Sequence, residues 1–494
     1  MRKLFTVLMV LALSAGIPAT VTATNGMNLE GYGPISAGMG GTSFGFHNGT
    51  AAMMNNPATL GFFADGYHLD LAVGYLGPRI TATVTTPDGD IPAESESKSF
   101  WMPALGFMVK KNQWGYGFGV FGQGGMGTEY SSSSWMSDPS MGQNTALEEG
   151  LVNRSEVSVG RAIVPVTYDV NEKFTVGVTF DFVWAGMDLQ MAMSEGQFQD
   201  MANPAAQNIG TISGSMVEAI GMFYEPFGGT GISQLYHAYF DFSNESSFFG
   251  EAKGYGAAGK LGLTNEITPA VTVGATYHSQ TWLQDLETSN AKLSMGLNAD
   301  PGAFQGAPTG TYMDMEMSVT GTVTIKDFEW PWVIGGGVAF DASEKLMLAF
   351  DLKYIGWESA MKDFKMSFKA DETVENGNFG GLEMDANLYQ NWENQLVIAL
   401  GGAYEATEAL TLRGGYNYGK KPVPDQYVNA LFPAIVEHHI TLGAGYDWGK
   451  NGLNGSFQTA LENSQTNPGN GMTIPPVEST HKQYNFQLMY SRAF

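Results

Sequence analysis

Hydrophobic and polar side chains alternate with a period of two in segments that recur along this 494-residue chain. Near the carboxy terminus Tyr484, Phe486, Leu488 and Tyr490 take one parity, and Gln483, Asn485, Gln487 and Met489 the other. Alternate residues of a strand share a face, so this strand has one greasy and one wet side. The sorting recurs in Tyr67, Leu69, Leu71, Val73 and Tyr75 against His68, Asp70, Ala72 and Gly74. It recurs again at 101–109 and at 114–120, where Gly115, Gly117 and Gly119 take the inward parity. Further strands are predicted at 156–168, 174–188, 251–263, 271–282, 346–357, 396–404, 410–418, 437–448 and 453–461. Reading 313–340 as two strands would give an odd number, which single-chain bacterial barrels avoid. It is therefore taken as one long strand bent at Pro331. The expected fold is all-β: a transmembrane antiparallel β-barrel of about 14 strands.

The connections alternate in length. Those at 111–113, 169–173, 264–270, 341–345, 405–409 and 449–452 are short. Those at 77–100, 123–155, 189–250, 283–312, 358–395, 419–436 and 462–480 are long, which is the asymmetry of periplasmic turns and extracellular loops. Charge placement agrees with the parity, because a Lys or Arg facing lipid at mid-membrane costs roughly 2–4 kcal/mol. Arg161, Lys260, Lys353 and Arg413 all fall on the inward parity, as do His278 and Asp351. These six polar groups are expected either to meet a substrate's polar head or to brace the lumen, with Asp351 and Lys353 as a same-face pair.

The amino terminus narrows the compartment. Arg2 and Lys3 precede an apolar run at 4–13, and Val21, Thr22 and Ala23 supply small residues for cleavage, so 1–23 is expected to be a signal peptide. The apolar run is well short of the roughly 20 residues of a spanning helix. The chain has no cysteine, which removes disulfides and thiolate sites. A formal charge of −25 argues against nucleic acid as a partner. His438 and His439 are adjacent on a strand and point to opposite faces, so they cannot chelate together. No metal or cofactor is expected. No nucleophile-and-base motif stands out among the seven histidines, so no enzyme activity is expected. A barrel enzyme, lipase- or protease-like, and a structural or adhesive barrel are the alternatives to transport.

Residues 31–60 read GYGPISAGMGGTSFGFHNGTAAMMNNPATL. This stretch resembles the amino-terminal plug of the FadL/TodX outer-membrane transport family, above all at Gly38, Gly40 and Gly41 and at Asn56, Pro57 and Ala58. The likeness continues at 103–130, at Tyr277, His278 and Ser279, at 351–357, and at 412–416 followed by Pro422, Val423 and Pro424. The resemblance implies a plug at 24–66 inside a barrel at 67–494. It also implies passive uptake of hydrophobic small molecules, whether aromatic or aliphatic hydrocarbons or long-chain fatty acids. Loops would capture the substrate, and a kink in the third strand would release it sideways into outer-membrane lipid. Gly122, Gly124, Gly125 and Gly127 are the candidate lateral gate. Met191, Met193, Met222, Phe223, Tyr224 and Phe227 in the long 189–250 segment are the candidate capture surface, since thioethers and aromatics adapt to varied apolar ligands. The segment 174–188 has no Lys or Arg where fatty-acid carriers of the family place a cation, which favours a neutral hydrocarbon. The aromatic carboxy-terminal Phe494 resembles the signal read by the barrel-assembly machinery.

Overall fold

The structure, a computed structural model, describes residues 25–138, 150–245, 250–471 and 473–494. The expected signal peptide at 1–23 lies outside the described residues. Fourteen strands form the wall: β1 (Gly66–Thr86), β2 (Phe100–Lys111), β3 (Trp114–Tyr130), β4 (Asn153–Asp169), β5 (Phe174–Met193), β6 (Ala252–Thr268), β7 (Val271–His278), β8 (Val333–Ser343), β9 (Leu346–Ile355), β10 (Gln395–Glu405), β11 (Leu410–Gly419), β12 (His438–Trp448), β13 (Asn451–Asn467) and β14 (Val477–Ala493). Each pairs antiparallel with the next. The ring closes where β14 meets β1, from His68↔Ala493 to Val84↔Val477. Closure pairs every strand of the wall on both sides over at least part of its length, the condition for strands to cross a bilayer.

Two further strands enter this ring in its outer half. The end of β5 pairs with Ile232–Phe242, that strand pairs with Leu286–Ala299, and the latter reaches β6 at Glu287↔Lys253. Traced through them the ring has sixteen strands. The expected count of about 14 therefore describes only the part of the wall where β5 and β6 pair directly.

The expectation of one bent strand over 313–340 is also corrected. Met313–Lys326 is a separate strand that pairs with Leu286–Ala299 and Asp363–Ala370, whereas β8 pairs with β7 and β9. The chain turns between them at Asp327, whose φ of 57° no strand accommodates. Proline at 331 adds a residue without an N–H. Several segments expected to be loops are likewise strands, including Asp363–Ala370 and Glu383–Tyr389.

Along the wall the outward parity is large and apolar: Phe180 is 65% exposed, Leu442 60% and Ile334 53%. Arg161, Lys260 and Asp351 are buried on the inward side.

Candidate functional site

The site grows from the contacts of the leading segment, residues 25–63, with strands all round the ring. Asp351 on β9 accepts the backbone N–H groups of Ser43 at 2.7 Å and Phe44 at 3.2 Å. Asp70 on β1 accepts that of Thr50 at 2.7 Å. Thr441 on β12 accepts from Gly40 at 2.8 Å, and Asn417 on β11 donates to the Gly40 carbonyl at 2.9 Å. Gly40 has a φ of 70°, and a β-carbon there would stand 2.5 Å from the Leu400 carbonyl, so only glycine lets the segment lie this close to the wall. Gly38 meets the backbone of Gly443, and Gly41 that of Glu30. Asn56 caps the short turn Pro57–Phe62 through the Ala58 N–H and donates to the Leu263 carbonyl of β6 at 3.1 Å. Pro57 and Ala58 lie against Gly177 of β5. The carboxylate of Glu30 is fully buried with neither oxygen hydrogen-bonded, 3.7 Å from His439 Nε2. Burial pushes its pKa up to about 8, against the Lys353 charge that lowers it.

All six lumen polar residues face protein partners. Arg161 and Lys260 share Asp181, the former at 2.7 Å. His278 Nε2 lies 2.8 Å from the Asn55 carbonyl, and Arg413 donates to Asn454 at 3.0 Å. Lys353 donates to the Glu30 carbonyl at 2.5 Å while Asp351 holds Ser43 and Phe44, so each of this expected pair turns to the leading segment. Asp181 was missed by the sequence reading. Its signal was a lone carboxylate on the inward parity of β5.

A window interrupts the wall between β2 and β3. These strands pair only from Leu105↔Val120 to Lys111↔Trp114. Beyond that β2 stays with β1 as far as Phe100↔Leu76, and β3 leaves with β4, bulging at Gln123. The Glu96 N–H on the Glu129 carbonyl, 2.6 Å, bridges the two chains again at the far end. Behind the window is a cavity of about 270 Å³ lined by Gly122, Gly124, Gly125 and Gly127 together with Phe100, Met102 and Trp184. All four glycines named from sequence therefore meet at one place. The bulge is also tied to the leading segment: Gln123 donates to Asn28 at 3.1 Å, Tyr32 to the Gln123 carbonyl at 2.5 Å, and Gly125 N–H to the Met27 carbonyl at 3.3 Å. Such ties satisfy polar groups that the absent ladder would leave bare.

Toward the outside methionine and aromatic side chains line the lumen, joined in a cavity of about 200 Å³ by Gln197, Gln390 and Asn429. That cavity and two smaller ones of about 50 and 20 Å³ share Met191 and Leu388, and the smallest shares Val157 with the window cavity. Met191 and Met193 line this series; the other four expected capture residues do not. Met222 is 67% and Phe227 40% exposed, Phe223 packs on Phe304 at 5.0 Å between ring centres, and Tyr224 is buried with its hydroxyl on Glu195 at 2.5 Å. Met201, Met295, Met366, Met384, Phe240 and Phe368 line the cavities instead. Four of those six, Met295, Met366, Phe368 and Met384, lie beyond residue 290, on strands within segments expected to be loops.

A closed antiparallel barrel with a window and an apolar interior narrows the choice of relatives. Residues 12–454 match the family described as outer membrane protein transport protein (OMPP1/FadL/TodX). The chain belongs to this family. The crystal structure of the Pseudomonas putida toluene transporter TodX is similar at 28% identity and a TM-score of 0.76, covering 94% of this chain and 99% of that one. The Ralstonia pickettii toluene transporter TbuX is similar at 26% identity and a TM-score of 0.71, covering 94% and 99%. A Pseudomonas aeruginosa FadL homologue, 16% identical with a TM-score of 0.67 and covering 95% and 100%, shares the fold. A curated Chlorobium limicola protein, uncharacterized and encoded in the phosphoenolpyruvate carboxykinase gene 5′ region, is 64% identical over 44 residues. That match covers 9% of this chain and 22% of the relative's length. This family member is a bacterial outer-membrane barrel of a transport family.

Proposed function

We propose that this outer-membrane protein takes up hydrophobic small molecules passively, by capture on its outer apolar surface, transit through a plugged lumen and exit sideways through the β2–β3 window. Residues 24–66 act as the plug of a 67–494 barrel, with Gly38, Gly40, Gly41, Asn56, Pro57 and Ala58 fitting it against the wall. Arg161, Lys260, His278, Asp351, Lys353 and Arg413 brace plug and lumen. Phe494 serves recognition by the assembly machinery, and the outward apolar parity meets outer-membrane lipid. One observation carries the reading: the strands part where four glycines line a cavity. At about 270 Å³ that cavity exceeds the roughly 150 Å³ that accommodates benzene in an engineered protein core. Sideways exit suits an apolar solute, which gains nothing by entering periplasmic water.

The test is uptake of labelled toluene, hexane and oleate by a deletion strain carrying the wild-type gene or Gly122→Val. A side chain at Gly122 meets first the flexible end of Met102, so the variant fills the window without moving the backbone. Uptake restored by the wild type and strongly reduced by the variant is expected. Equal uptake by both, in barrels that insert and shift with heat alike, removes the window from the route.

A further inference from the structure

We propose that the window carries a charge filter, made by Glu129, Arg154, Glu156 and Asp188, that passes neutral hydrocarbons and turns back carboxylates. Glu156 lines the window cavity. Its carboxylate lies 2.9 Å from Arg154, whose other arm holds Glu129 at 2.5 Å and which stands 3.9 Å from Asp188. The Glu129 backbone forms the far rim of the window. Three carboxylates thus surround one guanidinium, and the group is acidic overall. Asp188 accepts the Glu251 N–H at 2.5 Å and the Ser243 hydroxyl at 3.2 Å.

Nothing along the described route offsets this. Among the described residues no Lys or Arg lines the window cavity or the three cavities leading to it. Among neighbouring cations, Arg161 and Lys260 are taken by Asp181, Lys98 by Glu94, and Arg79 by the Pro78 and Lys98 carbonyls. His481, which lines the cavity, has Nδ1 2.8 Å from the Pro433 carbonyl. In such low-dielectric surroundings a like charge is repelled far more strongly than in water, whereas an uncharged ring meets, in the window cavity, mostly aliphatic, methionine, aromatic and glycine surface.

The proposal rests on exit through the window, and a matched pair of probes separates the two. Butylbenzene and 4-phenylbutyrate differ in the carboxylate, and their uptake at neutral pH is measured as a ratio in the deletion strain carrying each gene. The wild type is expected to favour butylbenzene by about tenfold or more, since like-charge contacts cost several kcal/mol. Glu156→Gln and the rim variant Glu129→Gln raise the share of the carboxylate; Arg154→Gln lowers it further. A cluster with a merely structural role would shift all three ratios in the same direction. Equal uptake of both probes by the wild type, or that common direction, overturns the filter while leaving transport intact. Uptake of neither probe above the deletion strain overturns the route and the filter with it.

Discussion

The wall and the strands added outside it use the same alternation in opposite senses. On β5 the apolar Val178, Phe180 and Phe182 face out while Thr179 and Asp181 face in. On Leu286–Ala299 and Met313–Lys326 the apolar Leu293, Met295, Leu297, Val319, Val323 and Ile325 are buried inside, while Glu287, Lys292 and Thr320 are exposed. A strand puts its greasy face toward whatever is not water. In the wall that is lipid, and the lumen is left for hydrogen bonds to the leading segment. In the added strands water lies outside, so the interior becomes the apolar region, and there the cavities form. The barrel thus has a lower half that holds its own chain and an outer half fit to hold a solute.

The largest test of the lower half is Asp181→Ala, which leaves Arg161 and Lys260 buried without their shared carboxylate. Stability in detergent should fall by about 3–5 kcal/mol, seen as a lower urea midpoint. The reversal of sense is tested next by one substitution in each region. Phe180→Arg on the lipid face should cost roughly 2–4 kcal/mol, against less than about 0.5 kcal/mol for Thr320→Arg on the outer strand, measured by urea titration in lipid vesicles. Equal costs would mean that the two regions share one solvent.

In the outer half, Met384→Ser puts a hydroxyl into an apolar cavity, whereas Met222→Ser changes an exposed side chain. The first should weaken hydrocarbon uptake by about 1 kcal/mol, roughly fivefold, and the second leave it within twofold. A further test concerns pH. Glu30 titrates near 8 when docked and near 4.5 as a free carboxyl, so the docked segment holds the extra proton between those values. Docking is most favourable below about 4.5 and weakens as pH rises toward 8. Protease nicking of residues 25–63 should increase from pH 5 to pH 9, and Glu30→Gln should flatten that trend.

Much of this was legible in the sequence. The parity of Tyr67 to Tyr75 or of Phe486 and Leu488 shows through because lipid tolerates no mixture on its face. The glycines at 122, 124, 125 and 127 were legible as a weak point because a run of them neither packs nor stiffens a strand. The outer strands were not: 313–326 was joined to β8 to keep the number of strands even, and the strands within 283–312 and 358–395 lay in segments expected to be loops. The partners of the lumen charges were hidden for a different reason. Asp181 meets Arg161 and Lys260 from separate strands, Asp351 meets residues three hundred positions away, and spacing along a chain carries no record of such meetings.

The window is tested most directly by locking it. A β-carbon at Gly122 would sit 3.8 Å from that of Met102, the separation of a relaxed disulfide, and the chain has no cysteine of its own. With Met102→Cys and Gly122→Cys combined, toluene uptake should be lost under oxidising conditions and return on reduction, while the barrel stays inserted. Uptake at the same rate with the bond formed and broken would contradict sideways exit between β2 and β3.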